Sequence, residues 1–188
     1  MDRTLMAKLI AWKDKPRRKP LILNGARQVG KTWLLKESGR TRFSNVAYIN
    51  LDHNAVMQEQ FELGYDIPRL ISAFQFETGE HIAEGETLII LDEIQECPRA
   101  LTSLKYFFEE APGYAIAAAG SLLGITIHDG TGYPVGKVET LDLFPMGFTE
   151  FLLATGNGNL AKLIAIDDPV MIDSFSSKLI PLLRQYYY

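Results

Sequence analysis

Short apolar runs alternate along this chain with longer segments in which apolar residues recur every three or four positions. The runs predict buried strands, and the recurrences predict helices that cover them. Strands that alternate with helices indicate an α/β fold, with a mostly parallel sheet and helices on both faces. The five predicted strands cover residues 21–23, 45–51, 87–91, 114–119 and 138–143. Helices are predicted over 2–12, from 33 onward, over 55–77 with breaks at Gly64 and Pro68, and over 98–111 and 148–154.

The last part of the chain differs from this pattern. Residues 156–159 are two glycines that alternate with two asparagines, and they predict a flexible joint. Apolar positions between 172 and 183 predict another helix, with Pro181 as the expected kink. The chain then ends on three tyrosines, which either pack back on the core or are normally covered by a further segment. We therefore divide the sequence into an N-terminal helix and basic linker (1–19), a core (20–156) and a helical extension that begins a truncated C-terminal region (157–188).

Composition narrows the class of protein. A length of 188 residues suits one domain, or one domain with an appendage, and 47% hydrophobic with 22% charged residues is typical of a soluble globular protein. The net charge of −4 excludes a general binder of polyanions. Cys97 is the single cysteine, which excludes an internal disulfide and favours a reducing compartment. No apolar run has the length of a membrane span, and the N-terminus lacks a signal-peptide core, so we expect a cytoplasmic protein without a membrane partner.

Candidate chemistry begins with residues 25–32, Gly-Ala-Arg-Gln-Val-Gly-Lys-Thr, which fit the phosphate-loop pattern G-x-x-x-x-G-K-[ST]. The motif lies between the strand at 21–23 and a predicted helix, which is the context that it requires. Glycine allows backbone N–H groups to point at phosphate oxygens, and the helix N-terminus adds partial positive charge. Lys31 is expected to reach the β- and γ-phosphates, and Thr32 to offer its hydroxyl to Mg²⁺. The expected nucleotide-binding residues are Gly25, Ala26, Arg27, Gln28, Val29, Gly30, Lys31, Thr32 and Trp33.

Two acids follow the apolar strand at 87–91. Because a buried parallel strand delivers such residues to the ligand-binding edge of the sheet, Asp92 is expected to hold Mg²⁺ together with Thr32. Glu93 can orient and polarise the water that attacks the γ-phosphate, which favours hydrolysis over transfer to a second substrate. Ser121 follows the fourth strand and either contacts the γ-phosphate or the attacking water, or is a simple turn residue. The predicted catalytic set is Glu93, Lys31 and Ser121.

Residues 13–20 form a basic linker bounded by prolines. The simpler interpretation is a solvated connector between the first helix and the first strand. The alternatives are a contact with nucleic acid or an arm close to the nucleotide.

The phosphate loop, residues 91–95 (Leu-Asp-Glu-Ile-Gln) and the Gly120-Ser121 pair resemble AAA+-like P-loop ATPases of bacteria and archaea. Residues 141–152 resemble the apolar, proline-containing tract that closes the core in one group of these proteins. The resemblance implies a three-layer P-loop NTPase fold with a five-stranded parallel sheet. It also implies ATP as the ligand and a second domain of unassigned function after the core, where this sequence ends. It gives Lys31 and Thr32 the Walker A positions, Asp92 and Glu93 the Walker B positions, and Ser121 the sensor position.

One position departs from the group, which usually has an arginine after a glycine just before the last strand. Here Gly136 is followed by Lys137. Lysine is a point charge without the forked donors of arginine, so the resemblance alone does not give Lys137 the role of a phosphate-sensing or trans-acting finger.

These observations leave more than one function open. The first hypothesis is a Mg²⁺-dependent ATPase that couples hydrolysis to the remodelling of a protein or nucleic-acid partner. The second is a binding module that ATP switches, with negligible turnover. A small-molecule kinase ranks below both, because Glu93 follows Asp92 and no arginine-rich lid is evident. The absence of an Asn-Lys-x-Asp signature in the sequence favours ATP over GTP.

Overall fold

A single parallel sheet organises the larger part of the chain. The computed structural model describes residues 3–121 and 133–187. Its strands run in the spatial order β2-β3-β4-β1-β5, and every neighbouring pair is parallel. The α/β class and the five-stranded sheet predicted from the sequence are confirmed. The strands are β1 Leu21–Asn24, β2 Asn45–Asn50, β3 Thr87–Asp92, β4 Ala115–Gly120 and β5 Glu139–Asp142.

Helices connect the strands and continue after the sheet. Residues 55–77 form two helices rather than one, as the breaks at Gly64 and Pro68 predict, because Asp66 caps the second helix and Pro68 occupies its first turn. A short 3-10 helix, Ile94–Glu96, follows β3. The α-helices of the described residues are α1 Leu5–Lys13, α2 Lys31–Arg42, α3 Ala55–Glu62, α4 Ile67–Thr78, α5 Pro98–Glu110, α6 Phe148–Ala154, α7 Gly158–Ile166, α8 Pro169–Ser174 and α9 Ser176–Tyr187.

The two faces of the sheet are covered by different helices. One face joins α3, α4 and α5 in a core that contains Phe61, Phe74 and Phe107. On the opposite face lies α2, and a side chain at Gly39 would collide with a methyl group of Val46 on β2. The close approach at Gly39 therefore brings α2, with the residues at its N-terminus, directly onto the sheet. All six residues of β3 are buried, as expected for a central parallel strand.

The described residues fall into two compact units, Ala7–Leu143 and a smaller unit made of residues up to Met6 and from Phe144 onward. In the smaller unit, Glu150 accepts hydrogen bonds from the backbone N–H and hydroxyl of Thr4 at 2.8 and 2.9 Å, and from the backbone N–H of Gly147 at 3.1 Å. Arg3 lies 3.2 Å from the same carboxylate. Glu150 therefore links the N-terminal residues to the first turn of α6.

The C-terminal segment differs from its prediction in two respects. The helix predicted between 172 and 183 is divided at Phe175 into α8 and α9. The flexible joint predicted over residues 156–159 is wrong beyond Asn157, because α7 begins at Gly158. Apolar residues of α7 pack against Leu152, and this burial outweighs the turn preference of glycine and asparagine. Tyr186 packs against the rings of Phe148 and Phe151 and donates a hydrogen bond to the carbonyl of Met146 at 2.6 Å, so this tyrosine packs back on its own unit.

Candidate phosphate-binding site

The phosphate loop follows β1 at the carboxyl edge of the sheet, and its two glycines serve different purposes. Gly30 has a φ of 94°, a left-handed conformation that favours glycine, while Gln28 adopts such a conformation with a φ of 64°. Gly25 is needed for another reason. A Cβ atom there would collide with the carbonyl oxygen of Leu143 and lie 3.0 Å from a methyl group of Val29. The loop therefore begins in close contact with the chain that leaves β5.

Lys31 is the first residue of α2 and folds back into the loop. Only 6% of the surface of Lys31 is exposed. Its Nζ donates hydrogen bonds to the carbonyl oxygens of Gly25 at 2.9 Å and Ala26 at 2.8 Å. Burial lowers the pKa of Lys31, while the nearby charges of Glu93 and Asp92 act in the opposite direction. The ammonium is thus held inside the loop, where a bound triphosphate would lie.

Asp92 receives three hydrogen bonds at the end of β3. Its Oδ2 accepts from the hydroxyl of Thr32 at 2.7 Å and from the hydroxyl of Tyr48 at 3.0 Å, and its Oδ1 accepts from the N–H of Glu93 at 3.1 Å. The structure thus brings Thr32 and Asp92, which lie 60 residues apart in the sequence, into direct contact. Burial raises the pKa of Tyr48, and the negative charge of Asp92 adds to the effect, so the phenol stays a donor.

Tyr48 is a site residue that the sequence analysis missed. It lies on β2, and the Nζ of Lys36, one turn after Thr32 on α2, is 3.3 Å from the centroid of its ring. The register of β2 beside β3 pairs Tyr48 with Ile90, two residues before Asp92 and on the same face of the sheet. The sequence shows a tyrosine in a predicted strand, which was the available signal. Its contact with Asp92 could be inferred only from the strand order, which places β2 beside β3.

Glu93 follows with a φ of 51°, a left-handed conformation in a residue other than glycine. Its carboxylate accepts a hydrogen bond of 2.5 Å from the side-chain amide of Gln95. Gln95 Oε1 and Ser121 Oγ are buried and have no hydrogen-bond partner among the residues that the structure describes. Ser121 follows Gly120, which pairs with Asn24 at the end of β1, so it lies at the same edge of the sheet as the loop.

A cavity of about 760 Å³ opens at this edge. Asp52, His53 and Glu96 also line it, and the sequence analysis did not single them out. Five predicted site residues are not among the described residues that line the cavity: Gly25, Ala26, Val29, Asp92 and Ser121. Of these, Gly25 and Ala26 accept hydrogen bonds from the lining residue Lys31, and Asp92 accepts one from the lining residue Thr32. The predicted site residues that line the cavity are Arg27, Gln28, Gly30, Lys31, Thr32, Trp33 and Glu93.

The donor set is suited to magnesium. Mg²⁺ prefers oxygen ligands and is usually held by one or two carboxylates together with phosphates and water. Thr32 and Asp92 offer a hydroxyl and a carboxylate in contact with each other. Within residues 3–121 and 133–187, no group of three or more His, Cys, Asp or Glu side chains lies close enough together to hold a metal ion.

None of the described helices is long and apolar enough to cross a membrane.

Solved structures similar to this chain include those of three proteins from different organisms. The chain is similar to a Walker-type ATPase of Pyrococcus abyssi (16% identity, 82% of this chain and 59% of that one, TM-score 0.48). It is also similar to Drosophila ORC bound to DNA (18%, 80% and 44%, TM-score 0.51) and to C. elegans PCH-2 (13%, 84% and 47%, TM-score 0.46). At these identities the likeness concerns the fold, and the chain spans less than two thirds of each of these structures.

A search of curated proteins gave no match. The sequence model of a protein family does match, however, and it covers residues 17–152, from the basic linker into α6. That range includes the phosphate loop, the acids after β3 and the complete sheet. The chain therefore belongs to the AAA domain family, and it is an AAA+-like P-loop ATPase domain.

Proposed function

We propose that this chain binds ATP together with Mg²⁺ at the phosphate loop and hydrolyses the γ-phosphate. The observation that carries the proposal is the 2.7 Å hydrogen bond between Thr32 and Asp92. It brings the hydroxyl of the loop and the carboxylate of β3 to one point beside a buried lysine. Membership in the AAA domain family supports nucleotide binding, and the contact supports a shared metal site.

The residues of the site have different proposed roles. Backbone N–H groups of the loop and the N-terminus of α2 bind phosphate oxygens. Lys31 turns its ammonium from the carbonyls of Gly25 and Ala26 toward the β- and γ-phosphates. Thr32 and Asp92 hold the metal, with Asp92 acting directly or through bound water. Bound there, Mg²⁺ would offset the charge of the phosphates.

Glu93 is the proposed general base. It lines the cavity beside Lys31, and a carboxylate at this place can accept a proton from the attacking water. Gln95 holds the carboxylate in one orientation, which restricts the positions that the water can occupy. Ser121, whose hydroxyl is buried without a described partner, is proposed to contact the γ-phosphate or the water.

We further propose that hydrolysis is coupled to remodelling of a protein or nucleic-acid partner. The second candidate, a module that ATP switches with negligible turnover, has one observation in its favour. The hydrogen bond from Gln95 occupies Oε2 of Glu93, so an attacking water has to compete for that oxygen or approach the other one. A chain in which that bond persists would bind ATP and turn over slowly.

Phosphate release at steady state tests the proposal. The wild-type chain is expected to release phosphate from Mg-ATP, and Glu93→Gln is expected to bind ATP with unchanged affinity but lose turnover, by about a hundredfold or more. Gln95→Ala serves as the comparison, since it frees the Glu93 carboxylate without removing it. If Glu93→Gln hydrolyses ATP at the wild-type rate, Glu93 is not the base. A wild-type chain that binds ATP without turnover supports the switch.

A further inference from the structure

Three cationic side chains converge on one aromatic ring of α5. The centroid of the Phe108 ring lies 5.5 Å from the guanidinium carbon of Arg17, 5.9 Å from Nζ of Lys19 and 5.8 Å from Nζ of Lys137. We call these four residues the Phe108 cluster. The cations come from the linker and from the segment before β5, so folding concentrates charges that are far apart in the sequence.

The positive charge of this cluster is incompletely neutralised. Glu109 pairs with Lys137 at 2.9 Å. Among the described residues, no carboxylate lies within salt-bridge distance of Arg17 or Lys19. Like charges held this close repel one another, and the attraction of each cation for the ring offsets only part of that repulsion. An anion at this surface would remove the repulsion.

The linker that carries two of these cations is fastened at both ends. The indole N–H of Trp12 donates to the carbonyl of Lys19 at 2.7 Å, and Arg18 donates to the carbonyl of Lys13 at 2.9 Å. The N–H of Glu139 on β5 donates to the carbonyl of Pro20 at 2.9 Å. The linker is therefore held in place, and a ligand would lose little free energy in ordering it.

The position of the cluster separates it from the ATP site. The linker enters β1 and Lys137 precedes β5, so both lie at the amino edge of a parallel sheet. The phosphate loop lies at the opposite, carboxyl edge. The linker is thus not an arm that contacts a nucleotide bound to the same chain, and the anion that fits here is a different one.

We propose that the Phe108 cluster is a docking surface for the phosphodiester backbone of a nucleic acid. Guanidinium and ammonium groups are the usual donors to backbone phosphates, and a surface of several fixed cations matches a ligand with regularly spaced charges. Of the other two lysines in this linker, Lys15 is paired with Glu139, and Lys13 lies over the ring of Phe43. Since the chain as a whole is acidic, the attraction is local to this edge. The proposal does not depend on ATP hydrolysis.

Fluorescence anisotropy on the full chain tests this surface, with a labelled DNA duplex, a single strand of the same sequence and a polyglutamate peptide as probes. DNA in either form is expected to bind, with an affinity that falls steeply as salt rises. The double variant Arg17→Glu/Lys19→Glu is expected to lose about tenfold or more in affinity, and Arg17→Ala/Lys19→Ala is expected to flatten the salt dependence by about two phosphate contacts.

The matched control is Lys162→Glu/Lys178→Glu, which changes the net charge equally and also removes a cation that lies over a ring, that of Phe175. It should bind DNA like the wild type. Equal losses in the control and the Arg17/Lys19 variants would overturn the proposal. So would binding of polyglutamate in preference to DNA, or the absence of any DNA binding at low salt by a folded chain.

Discussion

The hydroxyl of Tyr48 donates a 3.0 Å hydrogen bond to Oδ2 of Asp92, the same oxygen that accepts from Thr32. Two elements of the fold therefore orient one carboxylate oxygen, α2 through its first turn and β2 through a phenol. Lys36 lies over the ring of that phenol and restricts its position. In the proposed metal site, Thr32 would turn its lone pairs toward the metal, and Tyr48 would still hold Asp92.

We expect Tyr48→Phe to weaken the metal dependence of nucleotide binding. The variant keeps the ring beneath Lys36 but removes a donor to the proposed metal ligand, and loss of such an outer partner typically costs about 10- to 100-fold in metal affinity. The measurement is the Mg²⁺ concentration that gives half-maximal binding of a fluorescent ATP analogue. Tyr106→Phe, in a tyrosine that stacks on Tyr65, is the control and should leave this concentration unchanged. An unchanged value in Tyr48→Phe would remove Tyr48 from the metal site.

Replacement of Lys31 should separate nucleotide binding from stability. Burial disfavours the charged form of Lys31, so Lys31→Met is expected to leave the thermal midpoint of the nucleotide-free chain unchanged or raised. The same variant should lose the rise in midpoint that Mg-ATP gives the wild type. Differential scanning fluorimetry with and without Mg-ATP measures both effects. A variant that still gains stability from Mg-ATP would show that Lys31 does not contact the phosphates.

Gly25→Ala should disturb the loop although its backbone conformation suits alanine. The added Cβ would press on the carbonyl oxygen of Leu143, and relief by movement of the backbone is expected to cost about 1–3 kcal/mol in the free energy of unfolding. ATP affinity should fall with it. Gly158→Ala is the control, since its Cβ would lie 3.8 Å from Leu153, and alanine favours the helix by up to about 1 kcal/mol. Chemical denaturation of both variants compares them, and equal stability would contradict the close contact.

The smaller unit should lose stability in acid through Glu150. Burial raises the pKa of Glu150, but the hydrogen bonds from Thr4 and Gly147 and the charge of Arg3 outweigh it, so the folded pKa lies below the ordinary value of 4.5. The stabilisation is therefore complete above about pH 4.5 and is lost as the pH falls through the folded pKa. We expect Glu150→Gln to cost about 1.5–3 kcal/mol at pH 7 and progressively less in acid.

Thermal unfolding of wild type and Glu150→Gln from pH 7 to pH 3 measures this difference. Glu110→Gln, in an exposed glutamate at the end of α5, should change stability little at either pH. A Glu150→Gln difference that stays constant with pH would mean that the carboxylate charge contributes nothing.

The parts of this fold that the sequence predicted depend on local patterns. Some features can be interpreted from neighbouring residues alone. These are the apolar runs of β1 and β3 and the motif at residues 25–32. Thr32 and Asp92 were predicted as a pair because the loop and the acid after a buried strand each point to one edge of the sheet. The structure brings the two side chains into contact, and their role in holding Mg²⁺ stays a prediction.

The parts that were missed depend on strand order and register. Tyr48 reaches Asp92 only because β2 lies beside β3, and Gly25 meets Leu143 only because β5 lies beside β1. The arrangement of three cations around Phe108 likewise requires that the linker, α5 and the segment before β5 meet at one edge. The proposed roles of Glu93 and Ser121 stay predictions until the variants are measured.

The hydrogen bonds of Lys31 to its own loop have a consequence for affinity. In the proposed binding mode, its ammonium leaves the carbonyl oxygens of Gly25 and Ala26 for a phosphate, so the gain in binding free energy is the difference between the two sets of hydrogen bonds. Nucleotide capture in this mode is an exchange of hydrogen-bond acceptors around one ammonium, and small shifts of those two carbonyl groups would change how tightly the triphosphate is held.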